Sequence, residues 1–149
     1  MKHKVMSQIV GSLIILAFIV GCTASTPTLT LTFDQNKCSY SGPNSISAEK
    51  LNVDLVLPEL NPQASGFALV TLDSGKTIAD LEAWPSTDPP DWLTVLSDAG
   101  EISKNASINI DLAPMMAFHT GDALYLVCFQ KDSNGIVNKI GAFGPIKTK

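Results

Sequence analysis

The sequence predicts an all-β chain, a single Greek-key β-sandwich carrying one short helix. Three observations carry this expectation. Apolar and polar residues alternate in several short runs, the period of a strand with one buried face. Turn-forming Gly, Pro, Asn and Asp punctuate these runs at close intervals, drawn from 10 glycines and 9 prolines. Only one stretch combines a helix cap with helical apolar spacing, which is too little helix for an α/β chain.

The elements follow in order. Thr28–Phe33 alternates strictly and places Leu29, Leu31 and Phe33 on one face of a first strand. Ser41-Gly42-Pro43-Asn44 is a turn. Leu51, Val53, Leu55 and Leu57 form a second alternating face that stops at Pro58, and Pro58 to Gly66 is a loop. Phe67 to Leu72 is a compact apolar run suited to a buried strand, and Asp73-Ser74-Gly75 turns the chain. Thr77 is the N-cap of the helix, with Asp80 in a capping-box-like position three residues on. Ile78, Leu81 and Trp84 share one face of that helix and Pro85 ends it. Ser86 to Asp91, with its Asp88-Pro89-Pro90-Asp91 core, is an exposed loop, and Trp92 to Leu96 is read as one further helical turn. Ser107 to Leu112 alternates Ile108, Ile110 and Leu112 as a strand, and Leu124 to Phe129 is a dense apolar strand holding Cys128. Asn134-Gly135 predicts a tight hairpin turn, and Ile136 to Ile146 returns as the last strand or two, broken at Gly144-Pro145. The count is six or seven strands.

The N-terminus has a different character. Lys2, His3 and Lys4 precede an apolar run from Ile9 to Val20, the layout of an export signal. A spanning helix needs roughly 20 apolar residues, so the run is short for a permanent crossing. Ile19-Val20-Gly21-Cys22 resembles the lipobox of bacterial lipoproteins. The resemblance implies removal of residues 1–21 and a diacylglycerol on the Cys22 thiol. It also implies a cell-envelope location, the domain lying on the extracytoplasmic side of a bacterial membrane. Two or more acyl chains, palmitate-like in length, hold a membrane stably, whereas one holds it only reversibly. Residues 22–28 are then a short tether, and residues 29–149 form the sandwich.

Composition excludes some partners. All ten basic residues are lysines; two leave with the signal, so the remainder carries a net charge of about −6 against its 14 acids. With no arginine and no basic cluster, the electrostatic footprint of a nucleic-acid binder is absent. Anionic lipid headgroups would repel such a domain weakly, leaving the lipid to do the anchoring. Once Cys22 carries lipid, Cys38 and Cys128 remain as an even pair in an oxidising compartment. A bridge between them closes a loop of about 90 residues and stabilises by roughly 4 kcal/mol on chain-entropy grounds; the alternative is two independent buried thiols.

Ser41-Gly42-Pro43, Phe67-Ala68-Leu69-Val70, the helix from Gly75 to Leu81 and the closing strand from Gly121 to Phe129 together resemble a divergent cupredoxin-like β-sandwich. The choice between a cupredoxin-like and an immunoglobulin-like sandwich stays open. In copper-bearing members of the cupredoxin family the resemblance would make Cys128 the thiolate ligand. A blue-copper site also needs two histidines. Ala64-Ser65-Gly66 stands where the first histidine belongs, and neither histidine nor methionine follows Cys128. The copper centre therefore reads as lost, and no cofactor is expected.

Other residues have a sharp and a plain reading. Met115, Met116 and His119, joined by Cys128, form an alternative copper set; the plain reading is a loop with apolar anchors and a partly exposed histidine. Adjacent methionines on a strand point to opposite faces, which disfavours a shared ion. Asp80, Glu82, Asp88 and Asp91 lack calcium-loop spacing and read as a solvated acidic surface. No G-x-S-x-G, phosphate loop or Cys-x-x-Cys occurs, and 128 or so residues leave little room for a sugar-cutting cleft, so no enzyme is expected. Asn105-Ala106-Ser107 matches a glycosylation sequon, a chance match in a bacterial lipoprotein. Trp84 and Trp92 flank the proline loop: both cover the open end of the sandwich, or they form a recognition edge. The expected role is non-catalytic binding or scaffolding of an envelope protein or ligand at the membrane surface.

Overall fold

A computed structural model describes residues 25–47, 49–58, 63–85, 88–114 and 123–149. Nine strands and one helix lie within them: β1 (Thr28–Asp34), β2 (Lys37–Ser41), β3 (Ser45–Ile46), β4 (Lys50–Val56), β5 (Ser65–Leu72), α1 (Ile78–Ala83), β6 (Leu93–Ile102), β7 (Ala106–Asp111), β8 (Ala123–Lys131) and β9 (Val137–Thr148). They form two sheets, ordered β2-β1-β4-β7 and β3-β9-β8-β5-β6. Most connections cross from one sheet to the other, as a Greek-key sandwich requires. Two pairings, β1 with β4 and β3 with β9, are parallel, and the rest are antiparallel.

Strand period decides the core. Leu29, Leu31 and Phe33 of β1 and Leu51, Val53 and Leu55 of β4 all point inward and are almost fully buried. They meet the inner face of the five-stranded sheet, where Phe67, Leu69, Leu126 and Ile146 are equally buried. Cys38 on edge strand β2 and Cys128 in the middle of β8 form a disulfide between the sheets, with Cα atoms 6.3 Å apart and 90 residues of chain enclosed. Tyr40 stacks on Phe143 beside it, ring centroids 5.8 Å apart, and donates its hydroxyl to the Pro43 carbonyl at 2.7 Å.

Several sequence expectations are corrected. Strands number nine among the described residues, more than the six or seven expected, because β2, β3 and β6 lack a clean apolar alternation. Trp92–Leu96 is no helical turn: residues from Leu93 onward are extended in β6, where Leu93 pairs with Leu72 and Val95 with Val70. Two bulges against β5 and a left-handed Glu101 (φ 58°) scramble its pattern. Gly66 belongs to β5 and not to a loop. A Cβ there would lie 2.5 Å from the Ala99 carbonyl oxygen, so this glycine admits a neighbouring backbone.

The hairpin between β8 and β9 spans Asp132–Ile136, longer than the two-residue turn expected at Asn134-Gly135. The Asp132 carboxylate organises it, accepting the backbone N–H groups of Asn134 at 2.8 Å and Ile136 at 2.9 Å. β9 is also unbroken, running through Gly144-Pro145, whose peptide bond is cis. Gly144 has φ 139°, and a Cβ there would lie 2.6 Å from the Tyr125 ring, so only glycine carries the strand past that ring.

Candidate recognition groove on the outer sheet face

β5 and β8 are buried on both faces, unlike the strands of the other sheet. The inner face meets the main core. The outer face of the five-stranded sheet presents Ala68, Val70, Tyr125 and Val127, which with Leu81 of α1 and Leu93 form a second buried cluster. The helix is therefore a cover for part of this face.

Its placement follows from local chemistry. Asp80 accepts the Thr77 backbone N–H at 2.9 Å and the Thr77 hydroxyl at 3.0 Å, and pairs with Lys76 at 3.3 Å. These bonds, led by the Thr77 backbone N–H, hold the Asp80 carboxyl below its ordinary range. At the other end Lys139 reaches from β9 and donates to the carbonyls of Leu81 (2.6 Å), Glu82 (2.7 Å) and Trp84. A cation there satisfies terminal carbonyls and opposes the negative end of the helix. Burial of the ammonium lowers the Lys139 pKa, and the Glu82 charge acts against that.

Both tryptophans of the proposed contact edge pack on this same cluster, half-buried. They cover the outer sheet face, not the open end of the sandwich. Trp84 donates its indole N–H to the Asp88 carbonyl at 2.9 Å, meets Phe129 edge-on at 6.2 Å and lies 5.6 Å from the Lys139 ammonium. Trp92 carries the Lys76 ammonium 5.2 Å from its ring.

Beyond Trp84 the described residues leave the outer face partly open. A cavity of about 300 Å³ lies between Trp84, Pro89, Val95 and Phe129. A second, of about 200 Å³, continues over Gly66, Gly100 and Val137. The two share Ala68, Asp98 and Phe129, and so form one groove across β6, β5 and β8. Its floor is low at Ala68 and Gly100, which have little or no side chain, while at Gly66 the Ala99 backbone fills the place of a side chain. Val95 is 44% exposed and Val137 51% exposed, and Ile136 in the adjoining turn is 59% exposed. Glu101 and Lys131 form an ion pair at 3.1 Å along one margin. Asp98, exposed, has no ion-pair partner among the described residues. Apolar walls with a few placed charges suit recognition.

The other expected site residues fall as follows. Cys128 is bonded to Cys38 and offers no thiolate in this oxidised state. Cys22, Met115, Met116 and His119 lie outside the described residues. Among the described residues no group of three or more His, Cys, Asp or Glu side chains is placed to hold a metal, and no helix is long and apolar enough to cross a membrane. Sequence reasoning missed Val95, Asp98 and Gly66. The available signal was the Leu93-Val95 alternation and the pair Gly66 and Gly100, which mark a strand and a close backbone approach. No family model, curated protein or solved structure matches the chain.

Proposed function

We propose that this chain is an exported bacterial lipoprotein, anchored through lipid on Cys22, whose sandwich is a non-catalytic binding module. The observation that carries the binding role is the groove beside Trp84, whose rim exposes Val95 and Val137 although α1 packs on the same sheet face. Apolar walls with a few placed polar groups are the ordinary make-up of a binding site. The likeness to a cupredoxin sandwich belongs to this reading as an ancestral fold without its copper, Cys128 serving as half of an inter-sheet staple. Two tests address it. Replacing Cys22 with Ser should move the chain from the membrane to the soluble fraction; retention in the membrane would overturn the lipid anchor. A photoreactive residue at Val95, expressed in the native host, should give a discrete crosslinked product. The same residue at Val56, 40% exposed on the opposite sheet, should give none. Equal products from both positions would remove the groove as the binding surface.

A further inference from the structure

We propose that the groove takes an extended polypeptide segment that adds alongside β6, with alternate apolar side chains over the groove and a basic side chain facing Asp98. This rests on the binding role assigned to the groove and names its occupant.

Among the described residues β6 is the terminal strand of its sheet, ten residues long with β5 as its one neighbour. No described strand pairs with its outer edge, and the backbone donors and acceptors of such an edge are commonly protected in natural proteins. Leu93–Ile102 has no lysine or proline; two bulges and the acids Asp98 and Glu101 shape its edge instead, leaving it open to a partner of opposite charge. The outward-facing side chains of the same strand, Val95 and Asp98, also line the groove. A strand laid against β6 would thus share the sheet's hydrogen bonding while every second side chain lies on the groove side, about 6.5–7 Å apart. On β6 itself Gly100 has no atom within 4 Å of the place a Cβ would take, which leaves room for a side chain beside that strand.

Charge selects the partner. Asp98, Glu101 and Lys131 are the charged groups lining the groove, and Lys131 is engaged by Glu101. Asp98 is left as a negative charge without a counterion among the described residues. A second copy of this chain, itself net acidic, would bring carboxylates toward carboxylates, whereas a basic, apolar segment complements the surface.

The test uses the full-length chain in mild detergent and three capped nine-residue peptides. All alternate valine and threonine. One central valine is replaced by lysine in the first, by glutamine in the second and by glutamate in the third, so that the varied side chain shares the face of the remaining valines. Fluorescence anisotropy reads affinity, and amide hydrogen exchange reads protection of β6. The lysine peptide should bind at least ten-fold more tightly than the glutamine peptide and slow exchange at β6. Asp98→Lys should reverse the preference toward the glutamate peptide. Should that variant fold poorly, Asp98→Asn should still erase the lysine preference. Equal affinity for all three peptides, with the Val95 crosslink intact, overturns the cationic occupant while leaving the binding role standing. Tight lysine-peptide binding without β6 protection overturns strand addition. Loss of both peptide binding and the Val95 crosslink overturns the groove itself. A peptide-free dimer that protects β6 assigns the edge to a second copy and also overturns the proposal.

Discussion

Asp80 and Lys139 hold the two ends of one short helix, and each makes a different prediction. Asp80 has a lowered pKa because the folded state supplies donors to its carboxylate, first the Thr77 N–H. A depressed folded pKa contributes stability that is complete above the ordinary value of 3.8 and is lost as pH falls through the folded pKa. The stability difference between the native chain and Asp80→Asn, measured by urea denaturation, should therefore be constant near neutrality and shrink below about pH 3.8. Lys139→Met keeps the aliphatic stem and removes a cation from three helix carbonyls. We expect a loss of about 1–3 kcal/mol in the same assay, as for hydrogen bonds to charged groups. Gly144→Ala should cost about 1–3 kcal/mol through backbone strain alone, with the clash against Tyr125 adding to it. A neutral result at Gly144 would mean that β9 can shift away from the Tyr125 ring.

At the scale of the element, the helix, its C-cap Trp84 and Trp92 before β6 together pack on the outer sheet face. Trp84 is fixed by an indole hydrogen bond, an edge contact with Phe129 and the Lys139 cation, whereas Trp92 has one cation contact on its ring. Trp84→Ala should therefore destabilise by more than Trp92→Ala, by about 2 kcal/mol against about 1, since both are half-buried and fall below the cost of a full core truncation. Thermal melts of the two single variants check the order. If alanine at both positions unfolds the domain, the pair is core and its role as a contact edge fails. The open part of the same face, beyond Trp84, is where binding substitutions should act without loss of fold.

For the whole molecule, the disulfide joins an edge strand of one sheet to a central strand of the other across 90 residues. Constraining so long a loop in the unfolded chain stabilises by about 4 kcal/mol in the chain-entropy model. Denaturant midpoints with and without a thiol reductant should differ accordingly. Intact mass after alkylation under denaturing, non-reducing conditions should show neither Cys38 nor Cys128 labelled. Labelling of both would mean that the sheets pack without the staple and would reopen the copper set of Cys128, His119, Met115 and Met116.

Patterning alone determined the all-β class, the inward faces of β1 and β4, the capped helix and the cysteine pair, because these depend on residues adjacent in sequence or on simple counting. Strand period is local, so Leu29, Leu31 and Phe33 announce their burial without reference to any partner. The tertiary structure alone decided the rest. β6 was misread at Trp92–Leu96 because its bulges answer to β5, a strand distant in sequence. Gly66 looked like a loop residue, yet its reason is the Ala99 carbonyl across the sheet. Asn105 read as a chance sequon, while its side chain accepts the Leu57 N–H at 2.8 Å and closes the end of β4. The groove was the least legible feature. Gly66, Ala68, Val95, Asp98 and Phe129 come from three strands, and a concave surface exists only after those strands pair and the helix covers one part of the sheet and not the other.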